Sequence, residues 1–185
     1  MYLLLLLLAC FPWSASPFTV EILESTENGT CPFFECEAEG ANFGADINAF
    51  KSIGCAVWTE DDACHDHNFS VNSTLSCDNY FAVVPSANCC FSKKAYNVQE
   101  ASPLRFNALI VYNDPGLKPI PMSGGSYDGV VKIPVAMVDF DCATKMQQCS
   151  VENWCVVRFK SSAESATKSN IVCLFLILCL LLYSL

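Results

Sequence analysis

"NALIVYN", residues 107–113, sets five consecutive apolar residues between two asparagines. A run without polar alternation reads as a strand buried on both faces. "KIPVAMVDF" (132–140) repeats the pattern, with Pro134 near its start, where a missing amide donor is tolerable. "IGCAVW" (53–58), "YFAVV" (80–84, closed by Pro85) and "WCVVRF" (154–159) read as further strands. "FTVEILE" (18–24) alternates and places Phe18, Val20 and Ile22 on one face of a half-buried strand. Two stretches carry helical spacing. In "FSKKAYNVQEA" (91–101), Phe91, Ala95 and Val98 form one stripe, Ser92 is the expected cap and Pro103 follows the end. In "DFDCATKMQQC" (139–149), Asp141 is the expected cap of a short helix running to about Gln148. Mixed strands with two helices predict an α+β domain. A loop rich in Pro and Gly, "NDPGLKPIPMSGGSYDG" (113–129), joins two of the strands.

The ends of the 185-residue chain are apolar and inflate its hydrophobic content to 52%. Residues 1–16 combine a leucine run with small residues at 14–16, the pattern of a secretory signal peptide, too short for a spanning helix. The exported domain is expected over 17–160. At the other end, small residues and a polar spacer (161–170) precede a hydrophobic tail of 15 residues (171–185). A spanning helix needs about 20 residues, whereas this order is the signal for a GPI anchor. Ser161 is the expected attachment residue, with Ala163 the alternative, and the tail is expected to be removed. The competing reading is a single-pass membrane protein.

Of the 13 cysteines, ten lie between signal and tail: Cys31, Cys36, Cys55, Cys64, Cys77, Cys89, Cys90, Cys142, Cys149 and Cys155. An even number at this density predicts an oxidising compartment and a disulfide framework that uses all ten. Spacing leaves the connectivity open. Cys31 with Cys36 is locally feasible. Cys142 and Cys149 stand about 10 Å apart on a continuous helix, beyond the ~7 Å reach of a disulfide. Sequons at Asn28, Asn68 and Asn72 agree with export. A net charge of −9 opposes nucleic-acid binding through a basic face.

Cys89, Phe91, Lys94, Ala95 and Asn97, then Ala101 and the strand "ALIVYN", stand at the offsets of a known pattern. "IPVAMVDFDCATKM" (133–146) continues it. In these residues the chain resembles the protease-associated (PA) domain family over roughly residues 41–148. "PG…IPMS" and "ANFG…IGCAVW…DAC" bring it closest to the luminal PA domains of transmembrane RING ubiquitin ligases. Ser102 replaces the family's helix-end glycine, and "SPLRF" lengthens the following connection. The resemblance implies a β-sandwich or open barrel with two short flanking helices, a Cys64–Cys89 disulfide, and a binding or lid module instead of a catalyst.

No nucleophile elbow or zincin motif is present in the sequence, and no cofactor is expected. "CHDH" (64–67) sets Cys64, His65 and His67 together, a weak metal or thiol centre against which the even cysteine count argues. The expected function is therefore a non-catalytic, GPI-anchored cell-surface protein. Its protein or peptide partner is expected on the 114–129 loop, where "LKPIPM" offers apolar anchors, and its membrane contact is the lipid anchor. The alternatives are a membrane or endosomal adaptor related to the PA-containing ligases, and a metal or thiol enzyme at 64–67.

Overall fold

The computed structural model describes residues 18–26, 29–59, 61–65, 77–152 and 156–161. The expected signal (1–16), the sequons at Asn28, Asn68 and Asn72, His67, Cys155, Ala163 and the tail lie outside the described residues. Seven strands and two helices follow one another as β1 (Phe18–Thr26), β2 (Gly29–Gly40), β3 (Ile53–Trp58), β4 (Tyr80–Pro85), α1 (Phe91–Gln99), β5 (Ala108–Tyr112), β6 (Val135–Val138), α2 (Phe140–Glu152) and β7 (Val156–Ser161). A 3-10 turn, Asp128–Val130, precedes β6.

The α+β class is as expected. The strands form one ring in the order β1-β2-β6-β5-β4-β3-β7, and β7 pairs back onto β1. The sheet is therefore a closed barrel with no open side. Half of it, β3 to β6, is parallel, and the β7-β1-β2 half is antiparallel.

The two halves bury their strands differently, and the sequence patterns follow from that. In the parallel half, Phe81, Val83, Ala108, Ile110, Ala136 and Val138 face the barrel interior. Their neighbours Ala82, Val84, Leu109, Val111, Val135 and Met137 join an outer layer with Ala95 and Val98 of α1. Both faces are thus dry, which is why residues 108–111 and 135–138 are apolar without interruption. In β1, only Phe18, Val20 and Ile22 reach the interior, as their alternation predicts. α2 supplies Cys142, Ala143, Met146 and Cys149 to the same inner core.

Two helix starts differ from expectation. α1 is capped at Cys90 without a side-chain hydrogen bond, and Ser92 is buried inside the first turn. At α2, Asp139 does the capping: the Cys142 amide donates to its Oδ1 at 2.7 Å, while Asp141 lies within the first turn. α2 also continues to Glu152, past Gln148.

Gly54 in β3 shows how tightly the interior is filled. A Cβ there would lie 2.6 Å from the Phe81 ring and 3.0 Å from the Asn79 carbonyl. The ring stacks on Phe159 at 5.3 Å and touches Phe50, so it has nowhere to go. Gly54→Ala is expected to cost about 1–2 kcal/mol through overpacking, read from the urea midpoint. An unchanged midpoint would show that the Phe81 cluster can yield.

Candidate functional surface

The 114–129 loop is long, yet it is held at several points. It leaves β5 through Asn113, a buried residue whose Nδ2 donates to the Lys118 carbonyl at 2.9 Å and whose Oδ1 accepts the Asp114 amide at 3.0 Å. The Leu117 amide then donates to the Asp114 carbonyl at 3.0 Å. Pro115 and Gly116 fill the middle of this turn, and Gly116 has φ +81°. That is the pattern of a type II turn, in which the third position favours glycine. Further on, Met122 is buried and bridges Ala41, and the Asn42 amide donates to its carbonyl at 3.1 Å. The Gly124 amide returns a bond to Asn42 Oδ1 at 3.1 Å. Finally Tyr127 stacks on Tyr96 of α1 with centroids 5.0 Å apart.

These clamps leave Leu117 and Ile120 outside, 53% and 50% exposed. Met122, read from the sequence as part of the exposed set, is instead an internal anchor, buried in the outer apolar layer that also holds Phe43 and Met137. Lys118 pairs with Glu37 at 3.2 Å, but both are well exposed, so the pair contributes little. The loop can therefore offer two apolar side chains, carried on a clamped backbone, beside an acidic strand.

The second cluster joins the 61–64 turn to α1. Cys64 and Cys89 form a disulfide, as the PA resemblance implies. Lys94, fully buried on α1, donates from Nζ to the Asp62 carbonyl and to Cys64 Sγ at 3.3 Å. Burial pulls its ammonium below the ordinary lysine value, and the Asp62 and Asp61 carboxylates push the other way. Asn97 Nδ2 donates to the Ala63 carbonyl at 2.9 Å. Asp62 accepts from the Asn88 side chain at 2.6 Å and from the Cys64 amide at 2.8 Å, which holds its carboxyl below the usual range. Lys94 and Asn97 were legible as part of a spacing pattern. Their work of holding the turn was not, because their partners are backbone carbonyls some 30 residues away.

His65 is exposed, and no group of three or more His, Cys, Asp or Glu residues that could hold a metal occurs among the described residues. Cys36 bridges Cys142 and Cys55 bridges Cys77, and Cys149 is also disulfide-bonded. The local Cys31–Cys36 pairing is thereby overturned, because Cys36 faces the interior where α2 brings Cys142. Cys31 lies on β2, and its side chain is outside the described set. Cys90, expected to pair, is a free exposed thiol, since Cys89 turns toward Cys64 and the next residue into the helix turns out. Ser161 ends β7 opposite Phe18 and is buried. Among the described residues no helix is long and apolar enough to cross a membrane.

No known family's sequence pattern and no curated protein matches the chain. Among solved structures it is similar to a zinc aminopeptidase from Bacillus subtilis, at 16% identity and a TM-score of 0.44, over 78% of this chain and 31% of that one. It is also similar to an aminopeptidase from Aneurinibacillus sp. strain AM-1, at 14% identity and a TM-score of 0.45, over 80% of this chain and 31% of that one. The chain thus spans under a third of the length of either enzyme.

Proposed function

We propose that this chain is a non-catalytic, PA-like module of the cell surface that holds a protein or peptide partner on its 114–129 loop. The observation that carries this reading is the clamped loop with Leu117 and Ile120 turned outward. With the loop backbone already held, a partner that covers the two apolar anchors has less loop ordering to bring about. The disulfides support an oxidising compartment, consistent with export. The PA reading gains support from Lys94 and Asn97, whose place in the motif matches their work in holding the 61–64 turn.

Attachment is by a GPI anchor. Ser161 is buried at the end of a paired strand, so transamidation there would have to open the β1–β7 pairing at Phe18. Ala163, two residues further on, is the attachment residue in this reading. Phosphatidylinositol-specific phospholipase should release the domain from intact cells, and retention on cells whose other anchored proteins are released would refute the anchor.

The loop is tested by point substitution instead of deletion, because Met122 and Tyr127 inside it are packed. Leu117→Asp with Ile120→Asp is expected to reduce surface cross-linking to the partner by about tenfold or more, the scale of losing a hot-spot side chain. The unfolding free energy from urea titration should stay within about 0.5 kcal/mol of the parent, as for exposed sites. Undiminished cross-linking by the folded double variant would remove the loop from the proposal.

A further inference from the structure

The Cys64–Cys89 bridge is asymmetric. Cys64 is 5% exposed and its sulfur receives the Lys94 Nζ–H at 3.3 Å. Cys89 is half-buried at the start of α1, next to the exposed thiol of Cys90. Exchange with an external thiol requires an accessible sulfur to be attacked and a stabilised thiolate to leave. Here the two requirements fall on different ends of one bond. The solvent side offers Cys89, and the buried side offers Cys64 with a lysine donor already in place. The Cys36–Cys142 bridge has neither property, since both of its cysteines are buried in the inner core.

We propose that Cys89 is a site of reversible modification by a small thiol, with Cys64 as the leaving group and Lys94 as the group that stabilises it. The thiolate attacks Cys89 Sγ and forms a mixed disulfide there. The Cys64–Cys89 bond breaks, and its electron pair goes to Cys64 Sγ, which is held by Lys94 Nζ–H or takes a proton from it. One disulfide is consumed and one is formed, so no separate oxidant or reductant is needed. The reverse step, attack of Cys64 on the mixed disulfide, expels the thiol and restores the bridge. Opening removes the covalent tie between the 61–64 turn and the start of α1. Lys94 and Asn97 then hold the turn by hydrogen bonds alone.

The experiment uses the folded protein carrying Cys90→Ser, so that the exposed thiol does not contribute. It is treated with 2-mercaptoethanol, quenched in acid, unfolded, labelled with maleimide and mapped by peptide mass spectrometry. The expected result is mercaptoethanol on Cys89 and maleimide on Cys64, well before either label reaches Cys36 or Cys142. Lys94→Met should slow the opening about tenfold, as expected when a leaving thiolate loses a charge-assisted partner. Lys94→Arg, which keeps a cationic donor, should recover most of the rate. Adduct on Cys64 instead, or opening no faster than at Cys36–Cys142, overturns the proposal. An unchanged rate in folded Lys94→Met overturns the part given to Lys94. The mapping needs no lysine variant, so it decides the site even if Lys94→Met does not fold.

Discussion

Replacing both Cys36 and Cys142 by alanine is expected to lower the unfolding free energy by about 4 kcal/mol, the largest loss from removing one of the described bridges. The two cysteines are 106 residues apart in sequence, against 22 for Cys55–Cys77 and 25 for Cys64–Cys89. In the chain-entropy account, a closed loop of about 100 residues restrains the unfolded chain by about 4.7 kcal/mol. The two shorter bridges lie inside that loop and shorten the free path around it, which reduces the figure. The lost packing acts in the other direction, because both sulfurs sit in the inner core with Ala143 and Met146. Urea unfolding under non-reducing conditions reads the effect. The double variant should lose about 1 kcal/mol more than the matched Cys55→Ala, Cys77→Ala protein, since loop entropy grows with the logarithm of loop length. An equal or smaller loss would mean that the bridge does not act through the loop it closes.

That pairing also marks where sequence reading stops. Buried strands announce themselves by composition, so β4, β5 and β6 were legible as apolar runs, and β1 by its alternation. β2 was not. Its residues "GTCPFFECEAEG" include a proline, two glycines and three glutamates, a composition that strands usually avoid. It is a strand because β1 pairs with it along almost its whole length and α2 is bonded to it through Cys36. Without β2 the ring has no closing member and nothing in the sequence singles out a distant partner for Cys36, so its pairing stays open, with Cys31 a locally feasible choice. Ser92 and Asp141 looked like caps because both residue types cap helices well. The choice between Asp139 and Asp141 depends on where the chain leaves β6, and that is set by the tertiary structure. In the loop, "LKPIPM" reads as offering Leu117, Ile120 and Met122 alike as exposed apolar anchors. Only the bridge to Ala41 separates the buried Met122 from the exposed Leu117 and Ile120.

Glu21→Ala is expected to cost about 3 kcal/mol, although Glu21 stands on the outer face of β1. Its register sets Glu35 of β2 directly opposite on one side and Arg158 of β7 opposite on the other. Like charges paired across strands repel, and Lys160 resolves this by reaching both carboxylates, at 2.8 Å from Glu21 and 3.1 Å from Glu35. Arg158 closes the other oxygen of Glu21 through its Nε and Nη2. Glu21 is only 4% exposed as a result, and removing it leaves two cations with one carboxylate between them. The figure is set at the low end of the range for broken buried pairs because Arg158 is itself 38% exposed and partly screened. Burial pushes the Glu21 carboxyl up, but the hydrogen bonds from Lys160 and Arg158 outweigh it, and the group ends below its ordinary value of 4.5. A depressed carboxylate stabilises the fold fully above the unfolded value, and that contribution is lost as pH falls through the folded value. Lys160 moves the opposite way: its bond to Glu21 raises it above 10.5, so its contribution holds below that value and is lost as pH rises past the folded one. The urea midpoint of the parent should therefore fall steeply below about pH 4.5, and Glu21→Gln, with no charge to lose, should flatten that fall. An equally steep acid limb in Glu21→Gln would place the acid sensitivity in another carboxylate and refute the role given to Glu21.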